Sequence, residues 1–307
     1  MKKLVIFCLI ILLLTGCGTT AGKTQGGYSF TDDLGRTVAV ENPQRVAVLL
    51  GSYADVWYLA GGTVCASADD AWDDFDLPME PDAVNLGNTK KLSLELLLSA
   101  NPDFVLASTN TPQHLEWQTA LENAGITVAY FDVSDFQDYL RLLEICCKIT
   151  GKPENYQLYG LNIQEQIQEI LDRNRDAQPQ TVLVMRASAA SIRAKNSEGT
   201  VLGTMLRDLG CVNIADSDGS LLENLSVESI LLENPDQVFF IQSGDDMEAV
   251  RENVEALFRE NPLWQELDAV KEGRVWFMEK RLYNLKPNAL WAEAYLKLEE
   301  ILYGTAK

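Results

Sequence analysis

Cationic, aromatic and hydroxyl side chains follow several short apolar runs of this sequence, at the points where the runs end. Arginine can bind carboxylate or catecholate oxygens bidentately, and aromatic rings can stack on a flat ligand. These residue types favour binding of an anionic small molecule, with Arg186 and Tyr53 as the leading candidates; a surface or packing role is the alternative for each residue taken singly. The candidate binding residues are Ser52, Tyr53, Trp72, Ser108, Asn110, Arg186, Ser188, Arg193, Arg281 and Tyr283, and the same segments hold Asp69, Asp70, Lys195, Ser243 and Lys280.

The residue types in the sequence give little support for catalysis. The chain has one histidine, His114, so neither a Ser-His-Asp nor a Cys-His set can be assembled without strain. Direct capture of bare zinc or manganese usually needs two or three histidines. A two-lobed nucleotide-dependent oxidoreductase would need a GxGxxG turn between a strand and a helix, and the sequence has none. The expectation is a binding protein without catalytic residues, cofactor or direct metal ligands.

The elements that must position these residues alternate between strand and helix. Continuous β-branched runs predict buried parallel strands at 45–50, 102–108, 125–132, 181–188, 236–244 and 273–279, with amphipathic helices between them. A short hairpin is predicted within 28–43. Between 153 and 176, apolar residues recur at helical spacing with no strand signal. The pattern predicts α/β architecture: one lobe over 28–152, an interlobe helix over 153–178 and a second lobe over 179–307.

The amino terminus is expected to lie outside both lobes. "MKKLVIFCLIILLLTGC" has two lysines, an apolar run too short for a stable membrane span, and a small-residue processing site. Its ending resembles the lipobox of bacterial lipoproteins, which implies a signal peptide over 1–16, diacylation of Cys17 and a tether over 17–27. An ordinary signal or a retained membrane anchor is the alternative. A lipid on Cys17 would hold a folded body at the outer face of a membrane.

The charge of the chain limits its possible partners, and its cysteine content bears on disulfide bonding. The chain has 25 basic and 45 acidic residues, a formal net charge of −20, which argues against nucleic acid or anionic lipid as a partner. It does not exclude a basic pocket within an acidic surface. Apart from the amino-terminal segment, the cysteines are Cys65, Cys146, Cys147 and Cys211. Their scatter does not form a disulfide framework, and buried free thiols are the favoured interpretation.

One 15-residue segment of the sequence is repeated. "LSLELLLSANPDFVL" from Leu92 and "LSVESILLENPDQVF" from Leu225 agree at 8 of 15 positions, with an offset of 133 residues. Each copy predicts a short helix with a glutamate in its first turn, Glu95 or Glu228, followed by Asn-Pro-Asp and a central strand. The repeat therefore marks the same element in both lobes.

The combination resembles the substrate-binding lipoproteins of ABC importers for ferric siderophores, haem and cobalamin. The residues that carry the resemblance are the lipobox, D-x-x-G-R-x-V-x-V-x-x-P-x-R-V from Asp32 to Val46, S-x-E-x-x-L-x-x-N-P-D in each lobe, and "KPNALWAEAYLKL" at 286–298. It covers about 28 to 304. The resemblance implies two Rossmann-like lobes with mainly parallel sheets, joined by one long rigid helix, with the ligand in the cleft between them.

The resemblance also implies partners. Glu95 and Glu228 match the glutamates that dock such proteins onto basic residues of the two permease subunits, which work with a cytoplasmic ATPase; the alternative is an ordinary solvated carboxylate at a helix start. A ferric siderophore is the expected cargo, with haem and cobalamin as alternatives, for a lipid-anchored extracytoplasmic monomer. His114 could be an axial ligand to haem, or a surface residue at a helix start, which is the favoured interpretation. A lipoprotein that stores or senses ligand without a permease is a further alternative.

Overall fold

The computed structural model describes residues 27–304 except Asp218, Asn224 and Asp245. Cys17 and the predicted signal lie outside the described residues. Among those that are described, no helix is both long and apolar enough to span a membrane.

Two five-stranded sheets form the centres of two lobes, as predicted for an α/β protein. The first has the order β5-β4-β3-β6-β7 and is parallel throughout; the second has the parallel order β10-β8-β11-β12, with β9 antiparallel to β8. The strands are β1 (Tyr28–Thr31), β2 (Thr37–Val40), β3 (Val46–Val48), β4 (Ala66–Ser67), β5 (Val84–Asn85), β6 (Phe104–Ser108), β7 (Thr127–Phe131), β8 (Thr181–Ala187), β9 (Ile192–Lys195), β10 (Val212–Asn213), β11 (Gln237–Gln242) and β12 (Val275–Met278).

Helices cover both faces of these sheets, as parallel strands require. They are α1 (Gly51–Leu59), α2 (Asp70–Asp73), α3 (Leu94–Ser99), α4 (Pro112–Glu116), α5 (Gln118–Asn123), α6 (Phe136–Thr150), α7 (Pro153–Tyr156), α8 (Asn162–Arg173), α9 (Val201–Asp208), α10 (Ile214–Ser217), α11 (Ser220–Glu223), α12 (Val227–Glu233), α13 (Met247–Glu260), α14 (Asp268–Lys271) and α15 (Trp291–Tyr303). Short 3-10 turns lie at Pro262–Glu266 and Asn288–Leu290, and a π-helical turn at Lys280–Asn284.

The connection between the lobes is helical from Pro153 to Arg173. A π-helical turn at Gln157–Leu161 joins α7 to α8, and the hydroxyl of Tyr139 donates to the carbonyl of Tyr159 within it at 2.7 Å. At its far end Arg173 pairs with the buried carboxylate of Glu299 on α15. The connecting segment is therefore fastened to both lobes.

One apolar cluster runs through both lobes. It contains Val46 and Val48 of the first sheet and Val182 and Val184 of the second. Between them Phe136 contacts Trp291 edge to face, with ring centroids 5.8 Å apart. Opening the lobes widely would expose this shared surface, so the packing opposes a large hinge motion.

The two copies of the repeated segment form the same local structure. Ser93 and Ser226 cap the amino termini of α3 and α12, and each helix is followed by an asparagine with positive φ, Asn101 (49°) and Asn234 (42°). The aspartate after the proline then fixes a neighbouring strand: Asp103 accepts from the N–H of Arg45 before β3 at 3.1 Å, and Asp236 from the N–H of Thr181 in β8 at 2.7 Å. Most of the repeat is therefore explained by capping and strand alignment. Glu95 and Glu228 are exposed; Glu228 accepts a hydrogen bond from the hydroxyl of the capping Ser226 at 3.3 Å.

The four cysteines of the described chain are free, as the favoured interpretation predicted. Cys146, Cys147 and Cys211 are buried, and burial raises the pKa of each thiol.

Candidate ligand-binding cleft

A cavity of about 870 Å³ lies between the two lobes, where loops follow the carboxyl ends of β4, β5, β11 and β12. This is the position at which open α/β sheets bind ligands, and the size suits a small organic complex. The lining residues are Asp69, Asp70, Asp73, Asp74, Asn88, Thr89, Lys90, Gln242, Ser243, Gly244, Met247, Glu279, Lys280, Arg281, Asn284 and Leu285.

The first lobe contributes an acidic wall, defined by Asp69, Asp70, Asp73 and Asp74 around α2. Asp70 accepts a hydrogen bond from the N–H of Gly51 at 2.8 Å. Only glycine fits there, because a Cβ on Gly51 would lie 2.6 Å from the nitrogen of Ala71. Burial, and then the charges of Asp69 and Asp74, raise the pKa of Asp70 to about 6 against the opposing Gly51 hydrogen bond. The hydrogen bond between the first residues of α1 and α2 therefore holds Asp70 of the acidic wall in place.

The second lobe places cations opposite, but two of them are neutralised across the cleft. Lys280 lies 2.7 Å from Asp74, and Arg281 lies 3.0 Å from Asp55 on α1. Arg281 also donates to the carbonyl of Lys286 at 2.6 Å and covers the ring of Phe75 at 4.3 Å from its centroid. Breaking such partly buried pairs is costly, so Arg281 helps to hold the lobes together; its contact with a ligand stays a prediction.

A second basic group lies on β8 and β9, one strand away from the end of β11 that lines the cavity, and none of its residues is itself a lining residue. This basic cluster is defined as Arg186, Arg193 and Lys195; Arg186 and Arg193 are register partners, one strand away from Gln242. No acidic side chain of the described chain pairs with any of the three, and Arg186 Nε is buried without a hydrogen-bond partner there. Burial lowers the pKa of Arg186, and burial followed by the charges of Arg186 and Arg193 lowers that of Lys195. Crowded cations without counter-ions form a ready site for anionic oxygens.

Four of the predicted site residues are buried. Tyr53 and Tyr283 are each 2% exposed, and their hydroxyls donate to the carbonyls of Phe131 and Ala294, both at 3.0 Å. Ser52 and Ser108 are also buried. Tyr53 and Tyr283 belong to the apolar cluster that runs through both lobes, and Ser108 is the last residue of β6. In the structure these residues have packing and hydrogen-bonding roles, and ligand contact by them stays a prediction.

The remaining predicted residues are accessible to different degrees. Asn110 is exposed at the end of β6 and donates to Asp132 at 2.6 Å. Trp72 is half-buried and packs against the shared core. Ser188 is half-buried and closes the turn between β8 and β9 through Ser191. With Arg186 and Arg193, these residues stay candidates for ligand contact.

Some lining residues were not predicted. Gln242 is 7% exposed, lines the cavity, and has an Nε2 without a hydrogen-bond partner in the described chain. Gln242 ends the β-branched and aromatic run of β11, so the sequence around it did not point to a polar site. Asp73 and Asp74 were missed as well, although the spacing in "DDAWDD" places carboxylates one helical turn apart and could have pointed to them.

His114 is a core residue. It is fully buried, and its Nδ1 accepts from the N–H of Ser108 at 3.1 Å, which joins α4 to the end of β6. Burial lowers its pKa to about 4. The expectation of a surface residue is therefore corrected, and axial ligation of haem would require this buried ring to leave its site.

A pH-dependent loss of stability is expected from His114. The unfolded chain, with a histidine pKa of about 6.5, binds a proton that the folded protein refuses until about pH 4. Stability is therefore complete above pH 6.5 and falls as the pH approaches 4, by about 3 kcal/mol at the lower end. Chemical denaturation of the wild type and His114→Asn, in which an amide oxygen can replace Nδ1 as acceptor, would measure this loss.

The comparison with the variant is essential because the pKa shift of Asp70 changes stability with pH in the opposite direction. A carboxyl whose folded pKa is raised to about 6 stabilises the folded protein at low pH, and that stabilisation disappears as the pH rises through 6. The difference between wild type and His114→Asn removes this common contribution. Equal pH dependence in the two proteins would contradict the assignment of a neutral buried histidine.

Comparison with known proteins gives a consistent result. A profile of the family described as "Periplasmic binding protein" matches residues 46–282. YhfQ of Bacillus subtilis (strain 168), named as a proposed ABC transporter substrate-binding lipoprotein, is 26% identical over 96% of each chain. The iron-uptake system-binding protein of the same organism is 26% identical over 90% of each chain. The crystal structure of an ABC transporter substrate-binding protein from Listeria monocytogenes EGD-e superposes with a TM-score of 0.71 and 18% identity, over 86% of this chain and 100% of the other.

Proposed function

The chain belongs to the periplasmic binding protein family, and we propose that it captures a ferric siderophore outside the cytoplasm and delivers it to an ABC importer. The relative named for iron uptake, which aligns over 90% of each chain, carries this proposal. The interlobe cavity and the adjacent basic cluster give it a physical basis, because ferric siderophores present dense, negatively polarised oxygens.

The fold supports the proposed mode of action. The ligand binds between the lobes, and the interlobe ion pairs and shared core keep the change in shape small. The protein performs no chemistry on its cargo. Anchoring through a lipid on Cys17 is part of this proposal, as are the monomeric state and the partnership with a permease dimer and its ATPase.

Retention of coloured ligands would test the proposal. Protein lacking residues 1–26 would be mixed separately with a ferric catecholate, a ferric hydroxamate, ferric citrate, haem and cobalamin, desalted, and scanned in the visible range. Retention of one iron chelate supports the proposal and identifies the chelate class. Retention of haem or cobalamin alone would replace the siderophore with that ligand, and retention of none would refute the proposed cargo.

A further inference from the structure

The two repeated helices carry a large share of the exposed apolar side chains. α3 and α12, of six and seven residues, hold three of the nine large apolar side chains that are exposed in the described chain, namely Leu96, Leu98 and Leu232. Single exposed leucines are ordinary on protein surfaces, whereas their concentration on equivalent helices of both lobes indicates a contact surface. Helix capping and strand alignment, which explain the serines, asparagines and aspartates of the repeat, do not require these leucines.

Leu232 is the most exposed of these side chains. Its relative exposure is 88%, against 53% for Val212, the next highest among the exposed large apolar residues of the described ranges. It follows Glu228 by four residues on α12, so the carboxylate and the leucine share one face of the helix. On α3, Leu98 follows Glu95 by three residues and is 39% exposed. Each lobe therefore presents a carboxylate and a leucine side by side.

The end of α12 that bears Leu232 is fixed to the body of its lobe. Asn234 donates from Nδ2 to Asp268 Oδ2 at 2.8 Å and accepts from the N–H of Asp268 at 3.2 Å. The turn Pro262–Glu266 packs against α12 and carries Leu263, which is 38% exposed. A side chain displayed on a fixed helix requires less ordering on association than one on a loose segment, so Leu232 is preorganised for insertion into an apolar pocket.

The charge beside the leucines indicates the kind of partner. Neither Glu95 nor Glu228 has a lysine or arginine partner within the described residues. A second copy of this chain, docked through the same surface in a twofold dimer, would place its own glutamates against these, and like charges placed face to face repel. A partner with two related subunits would meet one carboxylate–leucine pair on each, and the permease dimer of the proposed function has this symmetry.

We propose that these leucines insert into apolar pockets of the two permease subunits, beside the basic residues that meet the glutamates. Leu232 enters one subunit, and Leu96 and Leu98 enter the other. The inference rests on the proposed function and adds the apolar part of the docking contact. Exposed charge pairs speed encounter more than they add affinity, so the buried leucines determine how long the complex lasts. Because Leu232 protrudes furthest, the second lobe makes the stronger contact.

Photo-crosslinking in intact cells that depend on this protein would test the contact. A photoreactive phenylalanine analogue would replace Leu232, Leu98 or, as the control, Leu158, which is 52% exposed in the connection between the lobes. After illumination, mass spectrometry is expected to find adducts of the full chain with a membrane-spanning permease subunit at positions 232 and 98 and none at position 158. Adducts at position 232 with a second copy of this chain or with lipid alone, no adduct there, or equal permease adducts at position 158 would overturn the inference.

Iron uptake would measure how much the contact contributes. Leu232→Gln keeps a good helix former at this position and removes the apolar end of the side chain. The amount of full-length protein needed for half-maximal uptake is expected to rise about tenfold, the effect of losing one buried leucine contact. The rise should be smaller for Leu98→Gln and absent for Leu158→Gln.

The uptake measurement uses cells that make each variant at graded levels and receive radioactive iron in the chelate that the purified protein retains. Equal chelate affinity and an equal thermal unfolding midpoint in wild type and Leu232→Gln would exclude misfolding as the cause. Unchanged uptake by Leu232→Gln would contradict the inference.

The failure of this inference is distinguishable from failure of the proposed function. If Glu95→Lys/Glu228→Lys abolishes uptake and Leu232→Gln leaves it unchanged, the apolar contact is refuted and docking through the glutamates stands. If no iron chelate is retained but position 232 crosslinks to a permease subunit, the proposed cargo is refuted and the apolar contact stands.

Discussion

Cells that depend on this protein are expected to lose iron-chelate uptake when Glu95 and Glu228 are both changed to lysine, while chelate binding by the purified protein stays unchanged. Both carboxylates are exposed in the first turns of equivalent helices, α3 and α12. A partner with two related subunits would meet one in each lobe. Opposite charges guide such encounters, and like charges placed face to face cost several kcal/mol, so uptake should fall below about a tenth of the wild-type rate.

Uptake of radioactive iron chelate would measure this effect, with binding to the isolated protein measured in parallel. Glu116→Lys/Glu255→Lys is the matched control, because it introduces the same charge change at exposed helical positions away from the repeat. Each single reversal should give an intermediate loss. Normal uptake by the double variant would refute docking through these glutamates and would favour a protein that stores or senses its ligand without a permease.

The repeated helices also show why much of the fold could be predicted. A serine cap, an apolar helix face, an asparagine with positive φ and a strand-aligning aspartate all act within about a dozen residues. Buried strands such as Thr181–Ala187 give equally local signals. The two-residue strands β4 and β5 have no periodicity to detect, and β9 was missed because "SIRAK" presents charged residues typical of a loop.

The cleft was harder to predict because its character depends on distant residues. Arg281 follows a strand, as a ligand-binding arginine would, but its partner Asp55 is 226 positions away. Lys280 is likewise paired with Asp74 at a separation of 206 residues. Residue type and strand position identify which cations are near the cleft. Only the three-dimensional arrangement shows that those beside β12 are neutralised, whereas those on β8 and β9 have no acidic partner among the described residues.

The second large expected effect concerns Arg186, which has no acidic partner in the part of the chain that the structure describes. Replacing Arg186 with glutamine is expected to weaken binding of the retained iron chelate about 100-fold, through loss of 2–3 kcal/mol of charged hydrogen bonding, roughly the amount for a desolvated charge. Arg186→Lys should recover only part of the affinity, because an ammonium cannot reproduce the planar fork. Fluorescence titration with the chelate measures both, and Arg259→Gln, at an exposed position on α13, is the control.

Stability of the ligand-free protein distinguishes a binding role for Arg186 from a structural one. Its buried Nε has no partner in the described chain, and it lies opposite Arg193 in the sheet. Removing an uncompensated, repelled charge should leave the folded protein as stable or raise its unfolding midpoint by about 2 °C. A structural arginine would show the reverse, a lower midpoint with affinity lost through partial unfolding. Weaker binding together with a higher midpoint would mean that repulsion among Arg186, Arg193 and Lys195 destabilises the ligand-free protein and that a bound ligand relieves this repulsion.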